Sequence, residues 1–224
     1  CTLAGLILFG SRVGLRRCLP MTARVDYIQV PTHDWVANPD ERYQSVDFRE
    51  GLVSLIPRLI KRVMEDIPKR FSLPEGAVTR QDQPLIPEKV IREGIVNALM
   101  HRSYRTHQPV QIIRYPNRLE IRNPGYSLKE GQELGEPGSV HRNPKMAALL
   151  LEMGFAETKG TGIKAMQEAM RESNLSPPKL YSNRDADQFI LTLRSHHFLE
   201  RSEDRAWLDL FKVQNLTDNE ARIL

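Results

Sequence analysis

Three short stretches combine residue types that can do chemistry. In the first, Glu93, Asn97 and His101 recur at intervals of four, so on a helix they form one stripe. In the second, a strand-like run ends in Asn123-Pro124-Gly125; in the third, Gly160-Thr161-Gly162 leads straight into a helical stretch. A glycine-rich turn opening a helix presents unpaired backbone N–H groups and the positive end of the helix dipole, which suits an anion. A carboxylate, an amide and an imidazole bordering an apolar face must find partners, because each polar group buried unpaired costs about 1–3 kcal/mol. Each stretch also has a plainer explanation: Gly-Thr-Gly as a simple tight turn, Glu-x-x-x-Asn as a cap or a buried hydrogen bond. Their order, with a polar glycine-rich segment between the second and third, favours a single site walled by the first helix.

The elements that must hold these residues can be read from periodicity. Pro87 suits the first turn of a helix and Glu88 the positive end of its dipole. Val90, Ile91, Gly94, Ile95 and Ala98 then fall on one apolar arc, which the Glu93 stripe borders. Gly94 weakens a helix by about 1 kcal/mol relative to Ala, so close approach by a neighbour is its expected use. Residues 108–115 and 118–122 read as strands joined at Pro116-Asn117. Residues 126–142 lack apolar periodicity and read as a mobile loop. Asn143-Pro144 opens a helix with Met146, Leu149, Leu150 and Met153 inward and Gly154 as its C-cap. A helix over 164–173 and an antiparallel pair over 179–182 and 188–194 close the domain.

Upstream, residues 2–10 are apolar enough for a buried strand or helix end, and residues 23–30 alternate like a half-buried strand. Residues 32–47 read as a polar loop, and the main domain boundary is placed there. A helix carrying Leu52, Leu55, Ile56, Leu59, Ile60, Val63, Met64 and Ile67 on one face follows, with Pro57 either kinking it or marking its start. Residues 71–84 read as a polar connection. Downstream, residues 205–213 turn helical, and Thr217 with Glu220 forms a capping box. A chain that opens in mid-core and stops in mid-helix is expected to be a piece of something longer.

With 40% hydrophobic and 27% charged residues among 224, the composition is that of an ordinary globular protein. No apolar run approaches the ~20 residues of a membrane span. Two cysteines, Cys1 and Cys18, without CxxC or Cys/His spacing, point to a reducing, cytoplasmic setting and away from zinc. A net charge of +4 fits a solvated basic surface or direct contact with nucleic acid.

Arg92-Glu-Gly-Ile-Val-Asn-Ala-Leu-Met-His-Arg-Ser-Tyr104, Leu119-Glu-Ile-Arg-Asn-Pro-Gly125, Arg142-Asn-Pro144 and Gly160-Thr-Gly-Ile163 together resemble the histidine-kinase-like ATPase domain of transcriptional regulators related to the C-terminal part of RecG helicases. That family belongs to the wider GHKL group. The resemblance implies an α/β sandwich of the Bergerat type, a mixed and mostly antiparallel sheet with helices on one face. It implies ATP and Mg²⁺ as ligands, with Glu93 as general base, Asn97 on the metal, and Gly125 beside the base. Gly160, Thr161 and Gly162 would hold phosphates; residues 126–142 would be a lid, with His141 and Arg142 as phosphate contacts, and His101 and Arg102 as further contacts. Two positions depart from the pattern: Asn123 stands where the wider group has an adenine-binding Asp, and Ser103 where the narrower family has His-Arg-Asp-Tyr. Residues 1–44 resemble the end of a Schlafen-type, Alba-like domain with a linker, 45–198 the ATPase-like domain, and 199–224 a linker and the start of a winged helix. Expected partners are ATP, DNA through the flanking domains, and a second copy of the chain, with no membrane. No Gly-x-x-x-x-Gly-Lys-Ser/Thr occurs, so a helicase motor is not expected.

A second class of function fits the same residues. Glu93, Asn97 and His101 can form a closed hydrogen-bonded network in a degenerate fold that serves as an interaction or dimerisation module without nucleotide.

Overall fold

The computed structural model describes residues 2–35, 44–72, 81–129, 138, 140–156 and 160–195. The expected helix over 205–213, the capping box at Thr217 and Glu220, and Cys1 lie outside the described residues.

Six strands form one sheet in the order β2-β1-β5-β6-β8-β7. They are β1 (Val25–Gln29), β2 (Gln44–Phe48), β5 (Val110–Tyr115), β6 (Arg118–Pro124), β7 (Lys179–Asn183) and β8 (Gln188–Arg194). Every neighbouring pair is antiparallel except β1 with β5, where Tyr27 lies beside Ile112. The fold is therefore a mixed, mostly antiparallel α/β architecture, as expected. Tyr115 pairs with Arg118 across Pro116-Asn117, which confirms the two-residue hairpin.

The helices are α1 (Leu3–Phe9), α2 (Arg12–Cys18), α3 (Leu52–Asp66), α4 (Glu88–His101), α5 (Pro144–Glu152) and α6 (Gly162–Glu172). One core joins Leu55, Leu59 and Val63 of α3, Val90, Ile91 and Ile95 of α4, and Met166 and Met170 of α6 to Ile112, Leu119, Ile121, Leu191 and Leu193 of the sheet. Each large aliphatic side chain buried in this way contributes about 1.5–3 kcal/mol. A smaller cluster, Ile28, Val30, Ile113 and Tyr115, lies on alternate strand positions and so faces away from the main core.

Of the two forms expected for the apolar opening stretch the helical one is present, with Thr2 Oγ1 accepting from Gly5 N as N-cap. A short second helix follows, capped in the same way by Ser11. Residues 44–47, read as loop, belong to edge strand β2, and β3 (Lys69–Ser72) pairs with β4 (Gln81–Pro84) where a plain connection was expected. Pro57 lies inside α3, which begins five residues earlier, so Pro57 does not mark its start. The boundary expected around residues 31–47 lies between β1 and β2, which pair in one sheet, and Ile7, Leu8, Val25 and Tyr27 belong to the common core. Tyr27 also donates to Asp66 Oδ2 at the end of α3 over 2.8 Å.

Helix α4 is the central wall. Its burial extends beyond the expected arc to Val96, Leu99 and Met100, because α3 and α6 pack against it as well as the sheet. A Cβ on Gly94 would lie 2.8 Å from Leu191 Cδ2 and 3.1 Å from Ile121 Cδ1. The absence of a side chain there lets α4 sit close on β6 and β8, and the close neighbour is the sheet itself.

Candidate functional site

A cavity of about 170 Å³ opens between α4, the ends of the sheet and the start of α6. It is lined by Glu93, Asn97 and His101 from α4, Asn123 and Gly125 at the end of β6, His141 and Arg142 before α5, and Gly160 and Gly162 at α6. These residues span seventy positions of sequence and the fold brings them to one place. Thr161 is not in the lining: it is the N-cap residue of α6, and its side chain makes no capping hydrogen bond.

Glu93 and Asn97 are neighbours on the helix, and Asn97 Nδ2 donates to Glu93 Oε1 over 2.8 Å. That bond fixes the amide, so its remaining acceptor is Oδ1. Glu93 also packs against the first residue of α6, so closely that a Cβ on Gly162 would land on its carboxylate. A negative group here is favoured by the helix dipole. The anion-attracting end of α6 thus already has a carboxylate beside it.

His101 stacks on His141 with ring centroids 5.5 Å apart and planes 16° from parallel. Burial, reinforced by His141 and Arg142, lowers the pKa of His101 to about 4. Its imidazole is therefore neutral at neutral pH and acts there as a hydrogen-bonding group without charge. Arg142 Nη2 donates to Tyr126 O over 2.7 Å, and its guanidinium lies 5.0 Å from the Tyr126 ring centroid. Lys129 joins it as a second cation in the lining. Arg102 points elsewhere: it is only 1% exposed, outside the cavity lining, donates to Gln108 O over 2.5 Å and packs on Tyr104. It is not placed to touch a ligand in this cavity.

Gly125 has φ +109°, and a Cβ there would lie 2.9 Å from Ser103 N, a backbone atom that cannot swing aside. Only glycine suits both the angle and the space. The turn is pinned from three sides: Ser103 N donates to Pro124 O over 2.6 Å, Gly125 N to Asp187 O over 2.7 Å, and Tyr126 N to Asp187 Oδ1 over 3.4 Å. Thr106 Oγ1 lies 3.1 Å from both Ser103 Oγ and Asp187 Oδ2. A threonine has a single hydroxyl proton, so Thr106 donates to the carboxylate and accepts from Ser103. Ser103 is thus linked through Thr106 to a carboxylate, Asp187 on the β7–β8 turn.

Sequence reasoning missed Asp187, and it missed the apolar part of the cavity, where Ile121, Leu180, Phe189 and Leu191 line one side. The pairing explains their proximity: Ile121 faces Leu191, Leu191 faces Leu180, and Asn123 faces Phe189. Asp187 carried no signal because it acts on backbone groups about sixty residues away. Among the described residues there is no group of three or more His, Cys, Asp or Glu placed to hold a metal, and no helix is long and apolar enough to cross a membrane.

Residues 107–193 match the family described as putative ATP-dependent DNA helicase RecG, C-terminal. The match runs from just before β5 almost to the end of β8 and supports an ATPase-like domain of RecG-related type; it does not include α4. No curated protein matches the chain in sequence. Three chains of solved structures match. Among them is the crystal structure of the DIP2311 protein from Corynebacterium diphtheriae, at TM-score 0.70 and 20% identity, over 86% of this chain and 37% of that one. That likeness concerns the fold, and the chain spans little more than a third of that protein's length.

Proposed function

We propose that this domain binds ATP with Mg²⁺ in the cavity between α4 and the Gly160–Gly162 turn, and serves as the regulatory domain of a transcriptional regulator. The observation that carries the reading is convergence: an acid, an amide, a buried acceptor at Asn123 and two glycine turns, far apart in sequence, line one cavity. The residues suit the ligands. Asn123 is 4% exposed and its Oδ1 has no hydrogen-bond partner, which leaves an acceptor for a base edge. The start of α6 suits phosphate, and Lys129 and Arg142 offset its charge. Asn97 Oδ1 would hold Mg²⁺, a hard cation that takes oxygen ligands and keeps several of its waters, so one amide oxygen beside the phosphates is enough. Bound Mg²⁺ would neutralise phosphate charge. Glu93 would orient and deprotonate a water, a weak hydrolytic activity in keeping with general-base catalysis. Residues 126–142, of which the described ones line the cavity, would close over the nucleotide and bias attached DNA-binding domains.

A rival reading draws on one observation. Glu93 is bonded to Asn97 and seated against Gly162, the closed network that an interaction or dimerisation module without nucleotide would show. Calorimetric titration with ATP and Mg²⁺ separates the two. Saturable heat that Asn97→Ala abolishes or reduces severely supports the site; no heat with folded protein leaves the rival standing. Glu93→Ala should retain binding and lose turnover, and unchanged turnover would remove Glu93 from the role of base.

A further inference from the structure

Two asparagines of this region have their amide ends assigned by the protein. Asn97 Nδ2 donates to Glu93 Oε1 over 2.8 Å, and Asn143 Nδ2 donates to the carbonyls of Met100 and Arg102, each over 2.9 Å. Asn123 differs. It lines the cavity, it is only 4% exposed, and its Oδ1 meets no hydrogen-bond partner. Half a turn of a carboxamide exchanges acceptor for donor with almost no change in shape. No hydrogen bond to Oδ1 opposes that exchange here.

Next to Asn123 the sheet supplies an apolar wall. Phe189 is its cross-strand partner, and Ile121, Leu191 and Leu180 continue the same face across β6, β8 and β7. This is a slot for a flat heterocycle whose polar edge meets a single amide. We infer that the slot accepts purines with either a 6-amino or a 6-oxo group, so that inosine triphosphate is a ligand alongside ATP. The inference rests on the nucleotide reading above and names its base class. A 6-amino group donates and is met by Oδ1 in one orientation of the amide; a 6-oxo group accepts and is met by Nδ2 in the other. A carboxylate in this place would have no donor and could serve only the amino group. Sites built around one fixed polar pairing reject the wrong partner by up to about 10⁴–10⁵, and an amide whose oxygen no hydrogen bond holds lacks that power.

The test compares ATP with inosine triphosphate, which replaces the 6-amino group by 6-oxo and adds nothing at the 2-position. Each is titrated calorimetrically into the whole chain with Mg²⁺. The expected dissociation constants agree within about tenfold, far inside the range of a selective polar site. Asn123→Asp should then weaken inosine triphosphate relative to ATP by about a hundredfold or more, as a lone acceptor demands. Asn123→Leu, similar in size without a polar end, should weaken both alike. Inosine triphosphate binding about a hundredfold or more below ATP in the unaltered protein overturns the inference while the nucleotide site stands. An unchanged ratio in folded Asn123→Asp also overturns it. Neither nucleotide binding to folded protein overturns the site and the inference together. If Asn123→Asp does not fold, the unaltered protein and the leucine variant decide the matter.

Discussion

His101 shows how burial decides what a side chain can do. An ordinary histidine titrates at 6.5, and burial with two neighbouring basic groups brings this one to about 4. The unfolded chain therefore takes up a proton at 6.5 that the folded protein refuses until about 4. Stability falls as pH drops through that window, by at most about 1.4 kcal/mol per pH unit, and levels off below it. In His101→Gln that contribution should vanish. Urea unfolding of both proteins at about pH 7 and about pH 5 gives the difference, and parallel curves would show that His101 is not held neutral by the fold. The position of His101 beside Asn97 and Glu93 was legible in the sequence because one helical repeat places all three. Its charge state was not legible, since the stacked ring of His141 arrives from forty residues away. Asn123 could be singled out from the Asn-Pro-Gly at a strand end, whereas Asp187 could not, because register across a sheet leaves no local mark.

At the level of elements, the long periodic helices α3 and α4 and the hairpin β5–β6 were readable, since each carries its own signal over many residues. The short pieces were not. Edge strand β2 is exposed at four of its five positions and buries only Phe48, so no alternation of apolar residues announces it. The seven-residue helices α1 and α2 are too short for a helical period to stand out. The parallel pairing of β1 with β5 depends on a crossover of some eighty residues, to which local pattern is blind. Gly94 sets the spacing of the central wall, and Gly94→Ala tests it. Alanine should gain about 1 kcal/mol of helix propensity. Against that, its Cβ would press on Leu191 and Ile121, and overpacking of a filled core costs about 1–3 kcal/mol. Both contacts are with buried side chains of a continuous sheet, so the packing cost should win and the variant should be destabilised. Chemical denaturation measures the balance; a variant as stable as the parent or more so would mean that α4 can ride outward at no cost.

Over the whole molecule, the cavity and the core share one face of the sheet. The lining draws on α4, β6, β7, β8, α6 and the residues on either side of 130–137, so a ligand there would touch elements from most of the fold. Such a ligand binds the folded chain and finds no site in the unfolded one, and it must raise stability by RT ln(1 + [L]/Kd). At a nucleotide concentration about a hundred times Kd, Mg²⁺-ATP should add about 2.7 kcal/mol to the free energy of unfolding. If Asn97 holds the metal, chelating Mg²⁺ should bring that gain down to the value for nucleotide alone, and Asn97→Ala should show the lower value from the outset. Glu93 supplies a further check within the same measurement. Its carboxylate borders the start of α6, where phosphate would come, so Glu93→Gln should tighten nucleotide binding by removing like-charge repulsion. A module that uses the Glu93–Asn97 network only to brace α4 against α6 predicts the reverse pattern. Its unfolding curve would ignore Mg²⁺-ATP, and both variants would simply lower stability. Denaturation with and without Mg²⁺-ATP on these three proteins distinguishes a nucleotide switch from a scaffold, because only the switch couples the α4–α6 contact to a ligand.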